Sequence, residues 1–524
     1  MVCSPCGAFC NLFNSVTIQD VYRTVKNTRL RSFLVLGALQ MQLRVIILAI
    51  GLMTALLGAA MIPCFLLDLA DRRDEWPVFA ASATVLLLFG GGLVIMSGGE
   101  KPRTGAREAF LLTVLVWVIL PAFAAIPFLG IGMSFTDAMF ESISGLTTTG
   151  ATVMTGLDSQ PRGLLLWRAI LQWFGGIGII VTAIAILPML RVGGMQLFQL
   201  ESSDMTGKFM PRVGEITRQI GLIYLIISMS CALIYVLCGM TPFNAIAHAM
   251  TTVSAGGYST HDASFGAYNG TPAVWASILF MTIAGLPFSI LALTLLHGRW
   301  QALRDDPQVR LFISLILGIS AFIVIWHEFI ADAFVFSSFG NAIETALFNV
   351  ISVMTGTGYA TAAYDTWGNS TTIIFLVTIF LGGCAGSAAC GIKMFRLEIS
   401  FRAVLAHAKQ MISPNRVVRV RYGDRVVDND TLQSVMVFVF LYMATFITAA
   451  ILLSLTGLDP LTSISGAATS VSNVGPGLGP IIGPSGTFEP LTDRAKWICA
   501  TAMLLGRLEF TAVFVLMTRR FWRG

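Results

Sequence analysis

Charge is what this sequence has least of. Of its 524 residues only 12% are Asp, Glu, Lys or Arg, while 55% are hydrophobic and the mean hydropathy is +0.78. A soluble chain of ordinary composition carries about twice that charged share, so an extensive water-facing surface is excluded. Catalytic signatures are missing too. There is no H-E-x-x-H, no G-x-S-x-G and no P-loop. A membrane-embedded enzyme would call for paired carboxylates or a nucleophile with a base at one depth, and no such set stands out. Without a nucleotide motif, any energy coupling has to come from an ion gradient or a partner. The first residues show no short apolar core ahead of a small-residue cleavage site. Arg23, Lys26, Arg29 and Arg31 instead precede the first apolar run, a basic flank that favours a cytoplasmic N-terminus. The nine cysteines offer no external pairs for a disulfide framework. Cys3, Cys6 and Cys10 supply three thiols with no nearby histidine, one ligand short of a tetrahedral metal site.

What is there is a succession of apolar runs, many long enough to span ~30 Å of hydrocarbon, and between them a recurring polar stretch. "SGLTTTGATV" (144–153) has three later counterparts, "TTVSAGGYST" (251–260), "SVMTGTGYAT" (352–361) and "TSVSNVGPGL" (469–478). Superposed on Gly150, Gly257, Gly358 and Gly475, each has a hydroxyl three places earlier (Thr147, Ser254, Thr355, Ser472). Each also has an apolar residue four places earlier (Leu146, Val253, Met354, Val471). Spacings of 107, 101 and 117 residues describe one unit repeated four times.

Every unit has the same layout. An apolar span (near 109–129, 219–239, 311–330 and 433–456) is followed by a helix too short to cross a bilayer (136–145, 241–252, 341–352 and 459–470). Thr241-Pro242 and Asp459-Pro460 read as helix starts, and Thr136 and Asn341 can also cap. The glycine motif comes next, and a second span (near 164–190, 273–297, 371–398 and 495–518) closes the unit. The expected divisions are a cytoplasmic N-terminal segment 1–37, two additional transmembrane helices in 38–108, and pore repeats at 109–216, 217–308, 309–428 and 429–524, the third carrying a cytoplasmic loop. The expected fold class is an all-α polytopic membrane protein with four pseudo-repeats around one central pore. Segments assigned to the cytoplasm, both termini included, hold 26 of the 33 lysines and arginines. That distribution puts the glycine loops on the outer side and ties the net charge of +5 to topology rather than to nucleic acid.

Non-helical backbone at membrane depth is tolerated only where it is buried or lines a water-filled cavity. Four glycine loops can surround one axis and turn carbonyls inward, and a ring of carbonyls can replace the hydration shell of a cation such as K+. The C-terminal ends of the short helices would point at the loops, and their negative dipole ends favour a cation. The aligned motifs contain no carboxylate.

The fourfold layout, together with "SGLTTTGAT", "GGYSTHDAS", "NVGPGLG" and "LLGRLEF", resembles the Trk/Ktr/HKT potassium transporter superfamily, and within it most the bacterial TrkH/TrkG uptake subunits. The resemblance covers roughly residues 40–524. It implies K+ as the transported ion with no organic cofactor, a homodimer in the bacterial inner membrane, and a cytosolic nucleotide-binding partner of the TrkA type. It also implies a filter built by Thr148, Thr149 and Gly150, by Ala255, Gly256 and Gly257, by Gly356, Thr357 and Gly358, and by Asn473, Val474 and Gly475. A Na+-permeable relative, or one coupled to H+ or Na+, is the alternative within the same class. Gly150 argues against the former, because some plant members have serine there.

Two further features stand out. Arg507 lies inside an apolar run, and a charge there ordinarily faces a cavity or a partner. It is expected below the filter as a barrier that repels K+ unless carbonyls of the 380–393 stretch or a nearby carboxylate hold it aside. "FLGGCAGSAACGIK" (380–393), with Gly382, Gly383, Gly386 and Gly391, interrupts the second span of the third repeat and reads as a gate loop. Family members often have Ser-Thr-Gly-Gly-Gly where this chain has Ser387, Ala388, Ala389, Cys390 and Gly391, which predicts a stiffer loop. The basic stretch 393–426, with Arg416, Arg419, Arg421 and Arg425, is the largest surface for a cytosolic partner. His248 and His261 read as residues that satisfy local hydrogen bonds.

Overall fold

The computed structural model describes residues 43–98, 106–181, 213–331, 336–415, 418–423, 425–508 and 510–523. The N-terminal segment 1–37 with its three cysteines, and Arg416 of the basic stretch, lie outside these residues. Among the described residues six helices are long and apolar enough to cross a membrane: Leu43–Ala70, Trp76–Met96, Arg107–Gly130, Arg218–Leu237, Pro307–Ile330 and Asn429–Ser454. They are the two additional helices and the first span of each of the four repeats. Their outward faces carry bare apolar side chains such as Leu88, Leu237 and Phe440, each more than 70% exposed. Exposed apolar patches of that extent suit contact with lipid.

Each repeat then turns back into a short helix: Phe135–Leu146, Pro242–Val253, Phe339–Thr355 and Pro460–Ser472. Their starts are fixed by side chains that accept a hydrogen bond from an otherwise unpaired backbone N–H of the first turn. Ser134 accepts from Asp137 N, Thr241 from Asn244 N, Ser338 from Asn341 N and Asp459 from Thr462 N. Two helices thus start one and two residues earlier than expected, with Ser134 and Ser338 capping in place of Thr136 and Asn341.

The closing spans differ from the expectation of mostly continuous helices. In the second repeat Ala273–Ala284 and Phe288–His297 are bent by 106° at Gly285-Leu286-Pro287. In the third, Asn369–Phe380 stops, and residues 381–393 run as irregular chain with a parallel bridge between Leu381 and Ile392 before Met394–Ile412 begins. In the fourth, Asp493–Arg507 ends and Thr511–Met517 resumes beyond Phe510, whose φ is 49°. The first spans carry bare apolar faces suited to lipid and run across without a comparable irregular break, although Pro121 interrupts the ladder of the first and Trp326–Ile330 closes the third as a π-helical turn. The closing spans line the interior, where backbone groups released by a break find partners on other segments. The expected cytoplasmic loop of the third repeat is largely the helix Met394–Ile412, followed by a small hairpin pairing Arg421 with Val426 and Tyr422 with Arg425.

Candidate functional site

The four glycine motifs meet at one place and close on one another. A Cβ built on Gly150 would strike the carbonyl oxygen of Gly256, one on Gly257 that of Thr357, and one on Gly358 that of Val474. One built on Gly475 would lie 2.7 Å from the carbonyl oxygen of Thr149. Each oxygen belongs to the residue immediately before the glycine of the next repeat, and the fourth contact returns to the first loop. This is a closed ring of four equivalent peptide groups around one axis.

The ring glycines have φ of 83°, 76°, 77° and 108°. Two places earlier the backbone is left-handed again, at Thr148 (53°), Ala255 (52°), Gly356 (74°) and Asn473 (53°), while the residues between keep negative φ. Alternating the hand of successive residues allows their carbonyls to face one side, where an extended strand would point them to opposite sides. Side-chain-bearing residues in this conformation cost about 1–2 kcal/mol each, a strain that persists only where the surroundings over-determine it. Those surroundings are hydroxyl-rich. Thr147 Oγ1 lies 2.7 Å from Thr149 Oγ1, and Thr355 Oγ1 lies 2.8 Å from Thr357 Oγ1. Ser144 donates to the Ala151 carbonyl and Ser352 to the Tyr359 carbonyl, both at 2.6 Å. Asn473 Nδ2 donates to Thr149 Oγ1 (2.8 Å) and to the Met503 carbonyl (3.0 Å), bracing the fourth loop against the first.

One side of the ring opens into a vestibule of about 400 Å3 lined by Gly150, Gly257, Gly358 and Gly475, with Thr152, Ser259, Asp262 and Pro476 around them. At its rim His261 bonds Asp158 (2.5 Å), and that hydrogen bond holds the Asp158 carboxyl below the usual carboxylate range. His248 is held by the Asn244 carbonyl and Ser259 Oγ, so both histidines act as local hydrogen-bonding groups.

On the other side of the ring lies the glycine-rich stretch of the third repeat. Cys390 N donates to the Thr355 carbonyl (3.4 Å), and its thiol lies 3.8 Å from Thr148 Oγ1. The stretch is pinned to the break in the second repeat. Cys384 N donates to the Gly285 carbonyl, Ala388 N to the Ala284 carbonyl and Phe288 N to the Gly386 carbonyl. Gln308 Oε1 accepts from Ala385 N at 2.8 Å. Gly386 (φ 72°) and Gly391 (φ 74°) make its sharp turns, while Gly382 approaches the Cys390 carbonyl and Gly383 the Ala389 side chain too closely for a Cβ.

Arg507 meets this stretch from the fourth repeat. It is 4% exposed, and its Nη1 donates to Cys390 Sγ (2.7 Å) and its Nη2 to the Gly175 carbonyl (3.1 Å). Its guanidinium carbon lies 5.6 Å from the centre of the Trp117 ring, and Nε has no partner. Among the described residues its partners are the thiol of Cys390, within the 380–393 stretch, and a carbonyl of the first repeat, rather than carbonyls of that stretch. Gly175 and Gly506 are equivalent, since a Cβ on either would strike the carbonyl four places before its ring glycine, that of Leu146 or Val471. Arg507 therefore fills in the fourth repeat the place of Gly176 in the first. It is the last residue of its helix, where a cation is favoured by the dipole.

Three functional side chains escaped the sequence reading. Arg168 is 1% exposed and bonds Glu141 Oε1 at 2.7 Å, the Ser259 carbonyl and Thr152 Oγ1. Its guanidinium lies 4.0 Å from the centre of the Tyr258 ring. Glu141 also accepts from Val153 N, so the pair ties together the first short helix, the first loop and the second loop. The third is Gln172, whose amide bonds the second loop. Arg168 and Gln172 are polar residues within a largely apolar helix, the signal that singled out Arg507, whereas Glu141 sits among other polar residues of its short helix and carries no such signal.

The family profile TrkH, described as a cation transport protein, matches residues 76–522. The chain is 44% identical over 424 residues to the Trk system potassium uptake protein TrkI of Halomonas elongata, covering 79% of this chain and 84% of that protein. It is 36% identical to the Trk system potassium uptake protein TrkH of Escherichia coli K12, over 92% of this chain and all of that protein. Its structure is similar to the crystal structure of the potassium transporter TrkH from Vibrio parahaemolyticus. The TM-score is 0.84 at 33% identity, over 92% of this chain and all of that one.

Proposed function

The chain belongs to the TrkH family of cation transport proteins, and from that premise we propose that it takes up K+ through the ring formed by loops 148–150, 255–257, 356–358 and 473–475. The observation that carries this reading is the cyclic closure of four equivalent peptides, each glycine making room for a neighbour's carbonyl. A ring of that kind can replace the water around a cation without any formal negative charge. In the same reading Arg507 raises the barrier to a cation that has passed the ring, and the 381–393 stretch, seated against Thr148 and Thr355, gates the path. The relatives named as Trk system proteins support a cytosolic nucleotide-binding partner of the TrkA type at the basic face formed by Met394–Ile412 and the hairpin, and assembly as a homodimer. The bacterial relatives support an inner-membrane location, and the charge distribution supports an orientation with both termini in the cytoplasm. The test is radiolabelled Rb+ uptake by the purified full chain in liposomes with an inside-negative potential. Uptake displaced by K+ and not by Na+ is expected; uptake indifferent to the two ions contradicts the proposal.

A further inference from the structure

We propose that Gln172 is a positioning residue that sets ion selectivity at one corner of the ring, an inference that rests on the filter reading above. Gln172 is fully buried on the helix Arg162–Val181. Its Nε2 donates to the Gly256 carbonyl oxygen at 2.6 Å, and its Oε1 accepts from Tyr258 N at 3.0 Å. The two bonds straddle Gly257, so one carboxamide grips the second loop on both sides of its ring glycine, as a neighbouring strand would.

The clamp accounts for a feature of the sequence that ring closure alone leaves open. The second loop has two consecutive glycines. Gly257 has positive φ and faces the Thr357 carbonyl, but Gly256 is not left-handed. A Cβ on Gly256 would instead run into the Gln172 side chain, 2.5 Å from Oε1 and 2.9 Å from Nε2. Gly256 is glycine because the glutamine amide occupies that space.

The clamp also makes the ring unequal. The Gly256 oxygen is the one that meets Gly150, and its counterparts are the carbonyl oxygens of Thr357, Val474 and Thr149. Among the described residues no side chain donates to those three. One oxygen in four thus shares its electron density with a buried N–H and is anchored to a rigid helix. Both effects disfavour a smaller ion. A carbonyl engaged by a donor presents a weaker field to the axis, and an anchored one cannot follow a contracting ring inward. Field strength and ring size are the two physical routes to K+ over Na+ discrimination, and the Gln172 bond acts through each in the same direction.

A purely structural role would be satisfied by any group that keeps the loop folded. The substitution Gln172→Glu separates the two. A protonated carboxyl can donate to the Gly256 oxygen as the amide does, whereas the carboxylate cannot and repels it. The experiment compares wild type, Gln172→Leu and Gln172→Glu in liposomes, reading Rb+ uptake against Na+ uptake over an acid-to-alkaline series, with gel filtration as the folding control. Gln172→Leu should lose selectivity by about fivefold at every pH, the worth of one net hydrogen bond. Gln172→Glu should match wild type at the acid end and fall to the level of Gln172→Leu or below as its carboxyl ionises, while wild type stays flat. A folded Gln172→Leu protein with wild-type selectivity overturns the inference; should Gln172→Leu fail to fold, Gln172→Met, which has a similar shape and no N–H to donate, takes its place, and wild-type selectivity in that folded variant overturns the inference equally. Should wild type itself show no preference for Rb+ over Na+, the filter reading fails, which is a separate result.

Discussion

A guanidinium inside a membrane protein, bonded only to a thiol and a carbonyl, is an uncompensated charge. Among the described residues Arg507 is in that state, with Cys390 and Gly175 as its hydrogen-bond partners and no carboxylate within ion-pair distance. At a few ångströms and an effective dielectric constant near 20, two like unit charges repel by about 4 kcal/mol, enough to hinder a cation leaving the ring. Arg507→Ala should therefore raise Rb+ flux per folded protein by at least about tenfold, equivalent to ~1.4 kcal/mol off the barrier. Arg507→Lys keeps the charge and should retain most of the block. Flux measured beside a gel-filtration profile checks this, and a folded Arg507→Ala protein with unchanged flux returns the residue to a packing role. The residue itself was legible in the sequence, because a charge within an apolar run has few uses. Its partners were not. Cys390 lies 117 positions away in the chain and Gly175 332 away, so the contacts exist only once four repeats have closed. Nor does the span expected near 495–518 run as one helix, since the helix ends at Arg507.

Short helices, loops and closing spans are held in register by buried polar links, of which the Glu141–Arg168 pair joins the most elements. Both side chains are essentially fully buried, and removing one partner of such a pair leaves an unpaired charge, at a cost of about 3–5 kcal/mol. Arg168→Leu should thus lower the thermal stability of the detergent-solubilised protein sharply. Arg168→Leu combined with Glu141→Gln should recover part of the loss, because the charge left behind is removed as well. Scanning fluorimetry of the three proteins decides it, and a double variant no better than the single one contradicts the account. At this scale the capped short helices were readable, since Thr241-Pro242 and Asp459-Pro460 are start signals whose physics is local. The breaks at Gly285-Leu286-Pro287 and at Leu508–Phe510 were not. Gly285 and Pro287 are compatible with an ordinary kink, and the 106° bend is imposed by the 381–393 stretch, whose backbone bonds to residues 284, 285 and 288.

The whole molecule is a ring built by repetition. Two added helices and four first spans face lipid, four short helices point inward, and four glycines make room for four carbonyls. That plan was visible in the sequence because each repeat keeps a glycine, a hydroxyl three places before it and an apolar residue four places before it. Of the departures from fourfold symmetry, Arg507 and the Gly382–Gly391 stretch stood out as a charge and a glycine run inside apolar spans, whereas Gln172 did not, because it is uncharged and its bonds to the second loop exist only once the repeats have closed. The measurement that bears most directly on the account is the ratio of Rb+ to Na+ uptake in liposomes for Gly150→Ser, Gly257→Ser, Gly358→Ser and Gly475→Ser beside wild type. Every one of these places a Cβ against the carbonyl of the next loop, with positive φ adding about 1–2 kcal/mol of strain. The account predicts that all four lower the ratio, whichever repeat carries the change. Four folded variants with the wild-type ratio would contradict it.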